Sequence, residues 1–76
     1  MFSYNIAKVA DNQAFQKVCA DIESKMRGIQ KESLLVDVDG TLIQIYKASG
    51  GSIKVVNDYE VDAVYADSDI DLTGII

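Results

Sequence analysis

The chain has 76 residues, 49% of them hydrophobic and 25% charged, with one cysteine, no histidine and a net charge of −5. That length allows a single domain with one layer of core, because such short chains bury only roughly 60% of their unfolded surface. One cysteine without histidine excludes an internal disulfide, Cys/His zinc sites and imidazole-based catalysis.

No apolar run approaches the roughly 20 residues of a membrane helix. Residues 1–8 lack the basic and apolar regions of a signal peptide. Together these features predict a cytoplasmic protein with no membrane contact. Charge is unevenly spread. Residues 1–30 carry four bases against three acids, whereas residues 31–76 carry three lysines against nine acids. An acidic surface repels phosphate backbones, so direct nucleic-acid binding is not expected, and a basic protein surface is the favoured partner.

Phe2, Tyr4 and Ile6 alternate with Ser3 and Asn5, the period of a half-buried strand over residues 2–8. Residues 12–29 read as an amphipathic helix. Phe15, Val18, Cys19, Ile22, Met26 and Ile29 recur at spacings of three and four and give one apolar stripe. Asp11 or Asn12 is placed to cap its first turn, and Lys17 and Asp21 are i,i+4 partners on its wet side. Cys19 falls within the stripe and reads as a small core hydrophobe.

Residues 34–46 are two β-rich runs around Asp39-Gly40. Asp-Gly suits a two-residue hairpin turn, whose central positions both need positive φ. That turn pairs Val38 with Thr41, Val36 with Ile43 and Leu34 with Ile45, on the face the helix should cover. Leu35, Leu42 and Tyr46 then lie on the uncovered face, where they predict a homodimer or a sheet-face partner. A loop at residues 48–51, a strand from Ser52 to Asn57 and a further strand at about 60–66 follow. The acids sit at even positions through Asp58, Glu60 and Asp62, then at odd ones through Asp67, Asp69 and Asp71. That change of phase predicts a bulge or the end of a strand between Ala63 and Ala66, and an extended acidic tail from about residue 67.

The stretch Leu34-Leu35-Val36-Asp37-Val38-Asp39-Gly40-Thr41-Leu42-Ile43 also resembles the first motif of the haloacid-dehalogenase-like phosphatases. The resemblance implies a Mg²⁺-dependent phosphatase with Asp37 as the phosphorylated nucleophile and Asp39 as acid/base. Mg²⁺ would be held by Asp37 and the backbone carbonyl of Asp39. In that family, however, the motif ends the first strand of a parallel sheet, whose crossovers need a dozen or more residues each. The residues after Thr41 are strand-rich and contain no second helix pattern, so the hairpin reading leads and the phosphatase is the alternative. Asp67, Asp69 and Asp71 open like a calcium loop, but Leu72 stands where the sixth-position glycine belongs. No metal or cofactor is therefore expected.

The sequence thus predicts an α+β domain spanning residues 1–76. One helix packs on a three- to four-stranded, mainly antiparallel sheet in the order β-α-β-β-β. The expected function is that of a small acidic, non-enzymatic interaction protein of the inhibitor or accessory type. Asp58, Glu60, Asp62, Asp67, Asp69 and Asp71 would mimic a phosphate row against a basic partner surface.

Overall fold

A computed structural model describes all 76 residues. It is an α+β fold in which one helix packs on one face of a six-stranded antiparallel sheet. The elements are β1 (Phe2–Ala7), α1 (Asn12–Lys25), β2 (Gln30–Lys31), β3 (Leu35–Val36), β4 (Leu42–Ala48), β5 (Gly51–Asp58) and β6 (Ala63–Ser68). Strands are ordered β1-β6-β5-β4-β2, with β3 also paired to β4. No helix is long and apolar enough to cross a membrane.

The helix begins where the Asp11 carboxylate accepts from the Gln13 and Ala14 amides, at 2.9 and 3.2 Å. The expected Lys17–Asp21 pair forms at 3.0 Å. The helix stops at Lys25, one turn short of the apolar stripe, because Met26 is already extended. Met26 and Ile29 still pack against the core from the following loop. Phe15, Val18, Cys19 and Ile22 are the buried helical residues and meet Tyr46, Ile53, Val55, Val64 and Ala66 of the sheet.

Six strands form, more than the three or four expected, and one of the additional strands arises because the arm before β4 breaks in two. Lys31 pairs with Tyr46 and Leu35 with Ile43, which leaves one extra residue on the outer arm. A bulge of this kind bends an edge strand and interrupts its ladder. The Gln44 side chain bridges the break, donating to the Glu32 carbonyl at 2.7 Å.

The hairpin closes one residue away from the expected register. Val36 pairs with Leu42 and Leu35 with Ile43. The loop is Val38-Asp39-Gly40, closed by bonds from the Gly40 amide to the Asp37 carbonyl and from the Asp37 amide to the Thr41 carbonyl. Gly40 has φ +90°, a conformation that suits the last position of a three-residue loop. A one-residue slip turns one strand of the pair over relative to the other, here β4. Leu42 and Tyr46, expected on the uncovered face, therefore point to the helix, and Tyr46 is fully buried. Leu35 remains exposed.

β4 and β5 are joined by the tight turn Ser49-Gly50, with Ala48 opposite Gly51. β6 keeps an unbroken pleat from Ala63 to Ser68, alternating half-buried and buried residues. The change of acid phase arises elsewhere: Tyr59 to Asp62 form a turn, so Asp58 and Asp62 do not share a strand with Asp67. Beyond β6 the chain is tied to the rest of the fold. Leu72 is fully buried, and Ile70, Ile75 and Ile76 pack on the core beside it. The Tyr4 hydroxyl accepts from the Leu72 amide at 2.7 Å and donates to Asp71 at 3.0 Å, which ties this segment to β1.

Candidate functional site

Antiparallel strands collect their connections at two ends of the sheet. One end gathers the β1–α1 loop (8–11), the β3–β4 loop (37–41) and the β5–β6 turn (59–62). Side chains lock these three loops together. Asn57, fully buried, accepts from the Asp11 amide at 3.0 Å and donates to Asn12 at 2.7 Å. Asp62 accepts from the Ala10 amide at 2.7 Å, and the Thr41 hydroxyl accepts from the Tyr59 amide at 3.0 Å. No buried side-chain polar atom lacks a partner.

The surface of this pole is both acidic and apolar. Residues 8–12, 36–41 and 57–63 contain six acids (Asp11, Asp37, Asp39, Asp58, Glu60, Asp62) and one base, Lys8. The remaining six acids and six bases balance, so the net charge of −5 resides here. Val9, Val38, Tyr59 and Val61 on the loops and Val36 at the end of β3 are exposed in the same segments, Val38 completely.

The six acids singled out in the sequence do not share one surface. Asp58 ends β5 and Glu60 and Asp62 sit in the turn after it, whereas Asp67, Asp69 and Asp71 lie at the far end of β6 and just beyond it. Five residues of strand separate Asp62 from Asp67, about 17 Å at 3.3–3.4 Å per residue. Five of the six accept hydrogen bonds within the fold. Asp58 takes the Glu60 and Val61 amides and the Tyr65 hydroxyl. Asp67 takes the Ser3 hydroxyl, Asp69 the Ser52 amide, and Asp71 the Thr73 amide and hydroxyl. Glu60 alone among them makes no such bond.

Asp37 and Asp39 are engaged by their own loop. Asp37 accepts from the Val38 amide at 2.7 Å and Asp39 from the Thr41 amide at 2.9 Å. No three acidic, cysteine or histidine residues are grouped so as to hold a metal ion. Under the helix, the Tyr46 hydroxyl donates to Glu23, which also pairs with Lys31 at 3.2 Å. Burial, followed by the bond to Glu23, raises the Tyr46 hydroxyl far above the ordinary phenol value. Burial likewise raises the Cys19 thiol, which keeps it in the unreactive protonated form. Sequence reasoning missed this Tyr46–Glu23–Lys31 group because the assumed hairpin register turned Tyr46 outward.

Three carboxylates are held below their ordinary range. The Tyr46 hydroxyl lowers Glu23, the Thr41 amide lowers Asp39, and the Thr73 amide lowers Asp71. A folded-state value below the unfolded one of about 4 contributes stability above that pH and loses it as the pH falls through the folded value. The urea midpoint should therefore stay level from neutral pH to about 5 and decline below about 4. The double variant Glu23→Gln/Asp71→Asn should show a shallower decline. A midpoint that stays constant down to about pH 2 would contradict these contacts.

The chain matches no family model, no curated protein and no solved structure.

Proposed function

We propose that this is a small acidic, non-enzymatic interaction protein that acts by occupying a basic surface on a protein partner. Its docking surface is the loop pole. The observation that carries the reading is the concentration there of the entire net negative charge together with five exposed apolar side chains. Interfaces combine desolvated apolar anchors with charges that steer encounter and set register. A pole held rigid by Asn57, Asp62 and Thr41 supplies both at little ordering cost.

Asp58, Glu60 and Asp62 are the acids of the original six that this surface can offer a partner. A contact of this size, without a phosphate-like row of six, suits an inhibitor or accessory role in which one protein covers another. The buried free thiol of Cys19 fits a reducing, cytoplasmic setting.

The test uses side chains that the fold does not need. Val38, Glu60 and Val61 are exposed and their side chains accept no internal hydrogen bond. Proteins from the source cell would be captured on the wild-type chain and on Val38→Ser/Glu60→Gln/Val61→Ser. A specific partner should be retained by the wild type and bind the variant roughly tenfold more weakly, a loss of about 1.4 kcal/mol. Its binding to the wild type should weaken with added salt. Equal retention on both baits would refute the assignment of the pole.

A further inference from the structure

The sheet has two edges, and only one of them is guarded. On one side, β2 and β3 have two residues each, are separated by a break, and bring Lys31 next to Glu32. Short, charged and interrupted edges discourage pairing with another chain. On the other side, β1 has six residues, pairs only with β6, and carries no charge or proline between Phe2 and Ala7. Its one irregularity, the bulge between Asn5 and Ala7, comes at its far end.

The hydrogen-bond ladder decides which backbone groups of β1 are left over. The Asp69 amide donates to the Ser52 carbonyl, so Asp69 turns its backbone toward β5. In an antiparallel ladder that direction alternates along the strand. Tyr65 and Asp67 therefore also face β5, while Ala66 and Ser68 face β1. Their partners Tyr4 and Phe2 face back toward β6. Ser3 and Asn5 thus point their amides and carbonyls outward, where the sheet has no further strand.

The side chains of this edge fit each other as well. Phe2 stands opposite Ser68, a buried residue on the helix-covered face, yet is itself 42% exposed. Four residues on, Ile6 lines a groove of about 390 Å³ between β1 and the helix, whose other apolar walls are Ala14, Val18 and Ile76. An exposed ring and an open apolar groove lie at the two ends of the same strand.

We propose that β1 pairs with β1 of a second copy of this chain, antiparallel, about a two-fold axis through Tyr4. Ser3 of each copy then meets Asn5 of the other, and the four outward amides and carbonyls of each strand's pair bond across the axis. The same register sets Phe2 of each copy opposite Ile6 of the other, on the helix side, where its ring enters the groove. Centring the pair on Ser3 instead would set Phe2 against Tyr4, whose hydroxyl is already held by Asp71 and the Leu72 amide, and leave the groove empty. An isologous contact needs this match of a surface to itself, and no like charges oppose it within the strand. The dimer leaves its two loop poles at opposite ends, both open to a partner.

Sedimentation equilibrium and amide hydrogen exchange on the full chain, from micromolar to millimolar concentration, test the proposal. The wild type should become dimeric across that range. Exchange at Ser3 and Asn5 should slow as concentration rises, while Glu60 and Val61 in the β5–β6 turn stay unchanged. Asn5→Pro deletes an outward amide that has no partner within the chain, and Phe2→Ser removes the ring. Each should weaken the dimer roughly tenfold. Phe2→Ser, an exposed position outside the core, decides the matter if Asn5→Pro fails to fold. A wild-type monomer at millimolar concentration, the result expected if this edge takes a strand of a different protein, overturns the proposal. A dimer indifferent to Phe2→Ser, or one whose Ser3 and Asn5 amides exchange at a concentration-independent rate, overturns it too.

Discussion

Replacing Leu72 by alanine is expected to lower the unfolding free energy by about 2–5 kcal/mol, the usual range for a large aliphatic residue removed from a core. Leu72 has no solvent exposure and belongs to the same cluster as Ile22, Ile53 and Val64. Around it the chain is clasped on several sides. Tyr4 holds its amide, and the Ile75 and Ile76 amides return to its carbonyl. Lys25 at the end of the helix donates to the Ile75 carbonyl at 3.3 Å. A protein of this length has roughly 4–11 kcal/mol of stability in total, at 0.05–0.15 kcal/mol per residue. The loss would therefore be a large part of the whole. Urea unfolding followed by circular dichroism measures it. A variant with the wild-type midpoint would mean that residues 69–76 behave as the loose tail the acidic run suggested.

The second large effect is expected at Asn57. Its amide bridges β5 to both residues at the start of the helix. Asn57→Ala leaves the Asp11 amide without its acceptor beside a closed interior. An unsatisfied group in such a place costs about 1–3 kcal/mol, and the lost Asn12 contact adds to it, for about 2–3 kcal/mol overall. The effect should reach the loop pole as well as global stability. Amide hydrogen exchange at residues 8–12 should accelerate more than at β1 or β6. Uniform acceleration across the chain, or none, would deny Asn57 its part in joining the loops.

The helix, a cap at Asp11 or Asn12 and the antiparallel strands were legible in the sequence because each depends on local periodicity or on one short-range bond. Register was not, and register decides the faces. Asp39-Gly40 fits a two-residue turn by composition, yet the chain inserts Val38 into the loop and uses Gly40 alone in the left-handed conformation. The better signal lay one hairpin later. A two-residue turn at Ser49-Gly50 pairs Lys47 with Ser52 and Tyr46 with Ile53, which marks the lysine side as wet and the tyrosine side as core. Gly51 sits at φ +136°, and a Cβ there would come within 2.4 Å of Asp69. Only glycine allows that closeness, and with it the bond between the Ser52 amide and Asp69.

The pole was only half visible. Asp58, Glu60 and Asp62 stand out as charges, but their neighbours Val9, Val36 and Val38 come from distant parts of the chain. Topology alone brings them together. The acids were also counted as surface charge when most serve as hydrogen-bond acceptors for turns. Asp62, for example, adopts φ +58° and anchors the Ala10 amide. A run of like charges in sequence therefore became two separate sets in space, each engaged with a different loop.

The most direct test of docking at the pole is to map the contact on the protein itself. Backbone amide shifts of the labelled chain would be followed as the partner retained by the wild-type bait is added. The largest changes are predicted at residues 8–12, 36–41 and 57–63, with Val38 and Glu60 among them. Changes centred instead on residues 47–54 and 67–76, with the three loops undisturbed, would contradict the assignment.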